Sequence, residues 1–468
     1  MRIGVRRLLL AGALLVVATT NAAAQAPTAP PSAQTPPATQ TAPPVVPPVT
    51  SPPVTSPQSQ VFGRVLSVED AVAIALDTQP NIKARISDYI AAAFRVDQAL
   101  APLLPQITGS WTAARDQNVS GSGQGTTGTQ PVRTVVTWTT STVARVSLSQ
   151  ILFDFGKNFA STEAARKLAD VALEDTELQR QLVTQTVKES YTNINFAVRL
   201  IQVNQQAVER AELNLRSARG FFEVGTRPKS DVARAEVDVA NAKVDLIRAR
   251  NAERLARVAL ATAMGLPATT PLQIQDNLLY QPVTLDRARL AEDALRQRPE
   301  YRQARLNAEA NDARLRRSFR DFFPDITGGG FYGAQRADMN EIWELNLSLN
   351  WTLYDGGNRI ARYREARANL EAAQARVKAS ELDISREVEQ SINNVIEADE
   401  RIQAAQVAVV SAQENFRLAQ GRFDAGVGTI LELTDAQLAL TQAQNTEAQA
   451  LADYRIALAQ LDRAAGRR

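Results

Sequence analysis

The feature that most constrains this chain is an internal repeat. Phe153-Asp154-Phe155-Gly156 recurs as Tyr354-Asp355-Gly356-Gly357. At the same separation, Phe222-Glu223-Val224-Gly225 recurs as Phe423-Asp424-Ala425-Gly426. Self-similarity in a constant register predicts two copies of one structural module. Any fold for the chain therefore has to be built from that module twice.

The two copies are predicted to occupy residues 61–285 and 286–468. Matching runs keep a constant register within each block, but the first copy is longer between Pro105 and Phe153. The extra residues include the small and polar run Ser120–Gly125, which is typical of a flexible loop tip.

The segment before the repeat is predicted to be a processing signal followed by a spacer. Early arginines, an apolar run from Leu8 to Ala18 and an Ala-x-Ala site at 22–24 are typical of a secretory signal peptide over residues 1–24. Residues 25–60 are rich in proline and contain no charged residue, so they predict a disordered linker. We therefore expect an exported protein, and one without a lipid anchor because the chain has no cysteine.

The sequence of each copy predicts one long helix and shorter helices whose combined length is about the same. Apolar residues recur every seven positions from Val187 to Phe222 and again from Val388 to Phe423, the pattern of left-handed coiled-coil packing. The predicted helices cover residues 67–100, 158–219, 230–264, 286–319, 359–420 and 430–464. A polar equatorial connector over residues 265–285 joins the two copies.

Between the helices lie segments with the two-residue period of β-strands. They are predicted at about residues 105–117, 134–153, 324–335 and 342–354. Their lengths meet the roughly 9–11 residues that a tilted strand needs to cross a bilayer. The side chains predicted to face lipid are Trp138, Trp343, Leu345, Leu347, Leu349 and Trp351. The edge of a soluble sandwich would alternate in the same way, but it needs a second sheet, and the sequence shows no further strands.

Four strands are too few to close a barrel, and open strand edges do not persist in lipid. The chain is therefore expected to oligomerise through its strands, and three copies of four strands give 12. The predicted fold class is mainly α with a membrane β-barrel part.

Composition argues against an enzyme. The chain contains no histidine and no cysteine, which removes most acid–base, thiol and metal chemistry. No nucleophile, phosphate-binding or metal-ligand motif is visible, so we predict no catalytic residues, no cofactor and no metal site. The formal net charge is only +2, and no basic excess suggests nucleic acid.

Three duplicated motifs, in matching order between strands and helices, resemble the TolC family of outer-membrane efflux channels over about residues 61–466. The motifs are Phe-x-x-Gly turns at Phe222 and Phe423, Pro-x-Ile strand starts at Pro105 and Pro324, and Asp-x-Gly strand ends at Asp154 and Asp355. The resemblance implies a homotrimer whose 12-stranded β-barrel sits in outer-membrane lipid and continues as a helical barrel into the periplasm. It also implies a periplasmic adaptor and, through it, an inner-membrane transporter of the RND, ABC or MFS type. Such a tripartite efflux or type I secretion system exports drugs, ions or secreted proteins through a passive duct.

The resemblance further implies a periplasmic gate. Glu432 and Asp435 match acidic residues that face the channel axis in family members, where rings of carboxylates would favour cations. The same acids could instead only stabilise the N-terminus of a helix, a contribution of about 0.3–1 kcal/mol each. Asp231 matches a gate aspartate, but Phe423 and Gly428 stand where many members have tyrosine and arginine. We expect closure to depend more on helix packing and on the cations of the first turn, which are Arg227, Lys229 and Arg234.

The two turns are also the adaptor-docking surface that the resemblance implies. The docking residues predicted there are Phe222, Gly225, Arg227, Phe423 and Gly426. The glycines could equally serve only to permit tight turns between helices.

One alternative from another class stays open, a periplasmic coiled-coil scaffold that uses its strands for soluble dimerisation. Such a scaffold has no need for the run of apolar residues from Trp343 to Trp351, whereas contact with lipid demands it.

Overall fold

A computed structural model describes residues 64–122, 133–276, 278–336 and 340–467. The predicted signal peptide (1–24), the predicted linker (25–60) and residues 123–125 of the predicted loop tip lie outside the described residues. Among the helices of the described ranges, none combines the length and the apolar character needed to cross a membrane.

The same order of helices and strands occurs twice along the chain. The elements are β1 (Val65–Leu66), α1 (Val68–Thr78), α2 (Pro80–Leu100), β2 (Gln106–Ser122), β3 (Arg133–Phe153), α3 (Lys157–Glu223), α4 (Lys229–Ala263), β4 (Gln273–Ile274), α5 (Arg287–Gln297), α6 (Pro299–Arg320), β5 (Asp325–Arg336), β6 (Asn340–Asn350), α7 (Asn358–Asp424) and α8 (Ile430–Ala464). Two helices, a hairpin of two strands, one very long helix and one shorter helix follow one another in each half.

The long helices α3 and α7 each contain 67 residues and are therefore about 100 Å long. An aspartate stands three residues before the start of each long helix. Asp154 directly follows β3, whereas Asp355 lies five residues beyond β6, because the strand predicted to reach residue 354 ends at Asn350. The carboxylate of Asp154 accepts hydrogen bonds from the backbone N–H groups of Gly156 and Asn158, and that of Asp355 accepts one from Arg359. The N-cap residues are Gly156 and Gly357. The two aspartates precede them and stabilise the helix starts, because they accept from N–H groups that have no partner within the helix.

Two helices that the sequence predicts as continuous are broken. The segment 67–100 divides into α1 and α2 at Gln79, and the segment 286–319 divides into α5 and α6 at Arg298. Both residues precede a proline and have extended ψ angles of 119° and 125°. The proline ring disfavours the helical conformation of the residue before it, which explains both breaks.

The helices form one layer with α3 near its centre. The helix α3 packs against α2 and α4 on one side and against α6 and α8 on the other, and α6 and α8 in turn pack against α7. The two outer edges of the layer, α4 and α7, carry apolar side chains that no described residue covers. The most exposed of them are Val237, Ile247 and Leu255 on α4 and Leu382, Val407 and Val410 on α7.

Two buried tyrosines anchor the core at mid-height of the layer. Tyr191 of α3 donates a hydrogen bond to the carbonyl of Leu66 (2.8 Å) or of Gln275 (2.7 Å), and so fixes the small parallel sheet of β1 and β4. Burial raises the pKa of the Tyr191 hydroxyl, which keeps it a donor. Tyr454 of α8 donates to the carbonyl of Gln281 (2.8 Å), which ties the connector to the second half.

The four longer strands form one antiparallel sheet in the order β2-β3-β5-β6. Residues directly opposite one another in a ladder point to the same face, so the register tells which side chains share a face. Ile107 pairs with Leu148, which pairs with Gly330, which pairs with Leu345. The apolar sets of all four strands therefore lie on one face. Within the described sheet, β2 and β6 each have one unpaired edge.

The first hairpin is longer than the second. The strands β2 and β3 contain 17 and 21 residues, whereas β5 and β6 contain 12 and 11. The pairing of β3 with β5 ends where Thr142 meets Arg336, but the pairing of β3 with β2 continues to Arg133. The first hairpin thus projects beyond the rest of the sheet, and we call this projecting part, residues 114–122 and 133–141, the hairpin extension.

Candidate functional site

The tip of the helical layer is formed by two tight turns, one between α3 and α4 and one between α7 and α8. Gly225 and Gly426 occupy the same place in these turns, with φ angles of +76° and +78°. This left-handed conformation is readily adopted by glycine and strained for other residues, which explains why both turns keep it. The N–H groups of Thr226 and Val427 then donate back to the carbonyls of Phe221 and Arg422.

Phe423, predicted as a gate and docking residue, is fully buried. It forms a small core with Ile430 and Leu433, and the ring of Phe221 meets it edge-on at 5.6 Å. Because it is buried, its side chain offers no surface to an adaptor. It packs between the two turns and holds them together. Its counterpart Phe222 is exposed.

Arg227 joins the two turns. Its guanidinium lies 4.4 Å from the ring centre of Phe423 and donates a hydrogen bond to the carbonyl of Gly428 at 2.5 Å. It also forms an ion pair with Asp231 at 3.6 Å, and these two charged side chains are only 13% and 15% exposed. We call this set of contacts the Arg227 clasp. Asp231 is thus paired within its own turn, and the second turn supplies an aromatic ring and a carbonyl.

The absence of a side chain at Gly428 is a steric requirement. A Cβ atom placed there would lie 2.9 Å from the backbone nitrogen of Phe423 and 2.9 Å from the Cβ of Arg422. Because the chain closes so tightly on itself, no arginine fits at this position. The cation comes instead from Arg227 of the first turn.

The two predicted gate acids differ in their surroundings. Glu432 lies in the first turn of α8, where its N–H donates to the Thr429 hydroxyl that caps the helix. Its carboxylate is 3.6 Å from the guanidinium of Arg422. Asp435 is exposed and has no hydrogen bond or ion pair with any described residue. Of the two carboxylates, only that of Asp435 is thus free within the protomer.

The remaining predicted tip residues are on the surface. Lys229 and Arg234 are exposed and form no ion pair with a described residue. Sequence reasoning missed the apolar side chains of the tip, Val224 and Val427, which are 71% and 70% exposed. Their signal in the sequence is weak, because each is a single valine next to a turn glycine.

The predicted lipid-facing residues share one face of the sheet and are exposed. Leu345, at 83%, is the most exposed of Trp343, Leu345, Leu347 and Leu349 on β6. Trp351 follows directly after β6, and its indole donates to the carbonyl of Phe322. Trp138 lies on the same face but in the hairpin extension, beyond the end of β5. Trp138 therefore lies beyond the part of the sheet in which all four strands present apolar side chains.

The opposite face of the sheet is polar. Arg145 of β3 donates to the hydroxyl of Ser110 at 3.2 Å and lies 5.6 Å from the ring centre of Phe331. Asn346 donates to Glu344 on β6 at 3.0 Å. No group of three or more metal-ligating side chains is present in the described part of the chain.

Residues 71–266 and 290–467 match the family model described as outer membrane efflux protein. Outer membrane protein TolC of Escherichia coli K12 is 24% identical over 403 residues, which cover 81% of this chain and 78% of that protein. Alkaline protease secretion protein AprF of Pseudomonas aeruginosa is 25% identical over 417 residues, 85% of this chain and 83% of that one. The crystal structure of the outer membrane protein VceC from Vibrio cholerae is similar with a TM-score of 0.73 at 18% identity. That similarity covers 85% of this chain and 96% of VceC, and shows a shared fold.

Proposed function

The chain belongs to the outer membrane efflux protein family, and on that premise we propose that three copies of it assemble into one export channel. The sheet of each copy contributes four strands to a closed 12-stranded β-barrel in the membrane. The helical layers close in the same way into a long barrel below it. The two halves of the chain supply similar segments of the barrel wall, which is the role we propose for the internal repeat.

Two unpaired borders support this assembly. In the described sheet, β2 and β6 each have one unpaired edge, whose N–H and C=O groups need partners in lipid. The helices α4 and α7 at the edges of the layer carry the exposed apolar side chains described above. Joining β6 and α7 of one copy to β2 and α4 of the next would cover both borders at once.

The protein is an outer-membrane efflux channel of Gram-negative bacteria, with its helical part in the periplasm. Channels of this type work with an adaptor and an inner-membrane transporter in tripartite systems. Family members are transport proteins, and we propose that this chain likewise carries out no chemistry and conducts its cargo passively. We propose that its transporter is of the RND, ABC or MFS type. We propose that its cargo consists of drugs, ions or secreted proteins.

We propose that the helical tips form the gate. The Arg227 clasp keeps the two turns of a protomer together, and Asp435 contributes one carboxylate from each copy to a ring at the constriction. A ring of three carboxylates at a narrow point favours cations over anions. Glu432, which lies in the first turn of α8 and faces Arg422, contributes less to that ring.

The same tips are the surface that we propose for the adaptor. Phe222, Val224 and Val427 expose apolar area beside the positive Lys229 and Arg234. Docking through these side chains replaces the docking through Phe423 that the sequence predicts, because Phe423 is buried.

The continuous apolar face of the sheet carries this proposal, and two neighbouring residues test it. Leu347 points to the apolar face of β6 and Ser348 to the polar face. In a membrane barrel, Leu347→Arg costs about 2–4 kcal/mol and lowers the amount of assembled protein, while the matched Ser348→Arg leaves assembly almost unchanged. Heat-resistant oligomer in detergent-extracted outer membranes measures both. Equal effects of the two variants, or release of the wild-type protein by carbonate without detergent, would favour the soluble scaffold instead.

A further inference from the structure

We propose that Arg115 and Arg336 bind the phosphate groups of a phosphorylated glycolipid in the outer leaflet of the membrane. The inference rests on the proposed function, because it needs the apolar face of the sheet to contact lipid. It adds a specific ligand to that face at the end that lies away from the helices.

The register places both arginines on the lipid-facing side. On β5 the residues of the apolar face run from Ile326 to Arg336 in steps of two, and Arg336 is the last of them. Arg336 pairs with Thr142 of β3, which pairs in turn with Ala113 of β2. Arg115 lies two residues beyond Ala113 and so points to the same face.

Along the membrane normal, the two arginines lie at the level of the lipid headgroups. Ile326 and Arg336 are ten residues apart, which is about 34 Å along a strand and about 26 Å along the membrane normal at a tilt near 40°. An apolar band is about 25 Å tall, so Arg336 lies at its upper border when Ile326 lies at the lower one. Arg115 is about 7 Å further along the strand direction. The helices leave the other end of the sheet, so the upper border is the outer leaflet.

Neither arginine has an acidic partner in the described part of the chain. Arg336 is exposed and forms no ion pair with a described residue, and the guanidinium of Arg115 lies 5.1 Å from the centre of the Trp138 ring. The described carboxylate on this face is that of Glu341, one step below on β6, and it is not paired with either cation. By contrast, Arg145 on the opposite face is held by Ser110 and Phe331.

The chemistry of this surface suits a phosphorylated sugar. A guanidinium binds a phosphate through two parallel hydrogen bonds, and it retains its charge at any physiological pH. Stacking on Trp138 orients the guanidinium of Arg115 without consuming its outer donors. Ordinary zwitterionic phospholipids carry a compensating cation. Two arginines that have no acidic partner among the described residues therefore favour a lipid with uncompensated phosphates.

The test uses the assembled full-length protein in zwitterionic nanodiscs that contain a diphosphorylated acyl-glucosamine lipid. We expect the double variant Arg115→Gln/Arg336→Gln to retain about tenfold less of that lipid per protein than the wild type, as counted by native mass spectrometry. Arg145→Gln, on the polar face of the same sheet, is the matched control and retains the wild-type amount. The dephosphorylated lipid should bind equally to all variants, and inorganic phosphate in solution should not displace the bound lipid.

Equal retention by the double variant and the wild type would overturn the proposal, as would equal binding of the dephosphorylated lipid to the wild type. Full displacement by inorganic phosphate would also overturn it, because the site would then recognise free anions. Channel conductance in the same preparations separates this test from that of the proposed function. A double variant that conducts normally but loses the lipid supports both, whereas a wild type that never conducts contradicts the channel itself.

Discussion

Replacing Arg227 with alanine tests whether one side chain holds the two tip turns together. The change removes a cation–π contact of about 0.5–2 kcal/mol and a charged hydrogen bond of about 1.5–3 kcal/mol. It also removes an ion pair with Asp231 of about 1 kcal/mol. Because these contacts share one guanidinium, their energies do not add, and we expect a loss of about 2–4 kcal/mol from the closed tip.

In the proposed channel, this loss of stability of the closed tip makes the open state more populated. A change of about 1.4 kcal/mol is a tenfold change in an equilibrium constant, so the ratio of open to closed tips rises about 30-fold to 1000-fold. Single-channel recording in planar bilayers measures the time spent at high conductance. Asp231→Ala removes only the ion pair and leaves Arg227 on Phe423, so its effect should stay below about tenfold.

Arg219→Ala is the matched control for Arg227→Ala. Arg219 of α3 pairs with Glu236 of α4 at 2.7 Å and does not reach the second turn, and both side chains are more than half exposed. Such a pair contributes about 1 kcal/mol at most, so conductance should not change. Arg227→Lys keeps the charge but loses the planar fork and should give an intermediate opening. The clasp is refuted if Arg227→Ala assembles normally and conducts like the wild type.

Three further predictions concern other parts of the molecule. Gly428→Ala should destabilise the tip by about 1–3 kcal/mol in thermal unfolding, because its Cβ has no room, whereas Gly421→Ala has open space and should not destabilise it. Burial raises the pKa of Glu300, but the hydrogen bonds and charge of Arg298 outweigh it and lower that pKa below 4.5. The stability from this pair is therefore present above about pH 4.5 and is lost as the pH falls below it, and Glu300→Gln should abolish that part of the acid dependence of the melting temperature. Asp435→Asn should reduce the preference of the channel for cations in reversal-potential measurements, and an unchanged preference would remove Asp435 from the gate.

The sequence predicts the lipid-facing side of β6 because the apolar and polar residues from Trp343 onward alternate without interruption. It predicts almost all of β3, but it ends β2 at about residue 117 and assigns Ser120 onward to a loop tip, whereas β2 continues to Ser122. The neighbouring residues Gln117 and Asn118 point to opposite faces and are both polar, so they leave no period to detect. The helix breaks at Gln79 and Arg298 had a signal in the prolines that follow them, but the apolar pattern continued across each break.

The Arg227 clasp is a contact between distant parts of the chain, which the sequence alone does not predict. Arg227 and Gly428 are 201 residues apart in the chain, yet the guanidinium and the carbonyl are in contact. Spacing and composition indicate cations in the first turn, but not which of them reaches the second. The buried position of Phe423 was equally hidden, because its counterpart Phe222 is exposed in an almost identical stretch of sequence.

The position of α8 has a consequence for the biogenesis of the protein. This helix lies between α3 and α7, and its contacts with α3 join residues far apart in the chain, as between Asn214 and Gln437 (2.7 Å) and between Lys188 and Asp462 (2.8 Å). Contacts of such high sequence separation form late, because long loops must close first. We therefore expect the part of α3 that α8 covers to stay exposed until the final helix of a newly secreted polypeptide has crossed the inner membrane. Apolar surface exposed during folding favours aggregation, so we expect slower translocation to lower the yield of folded protein.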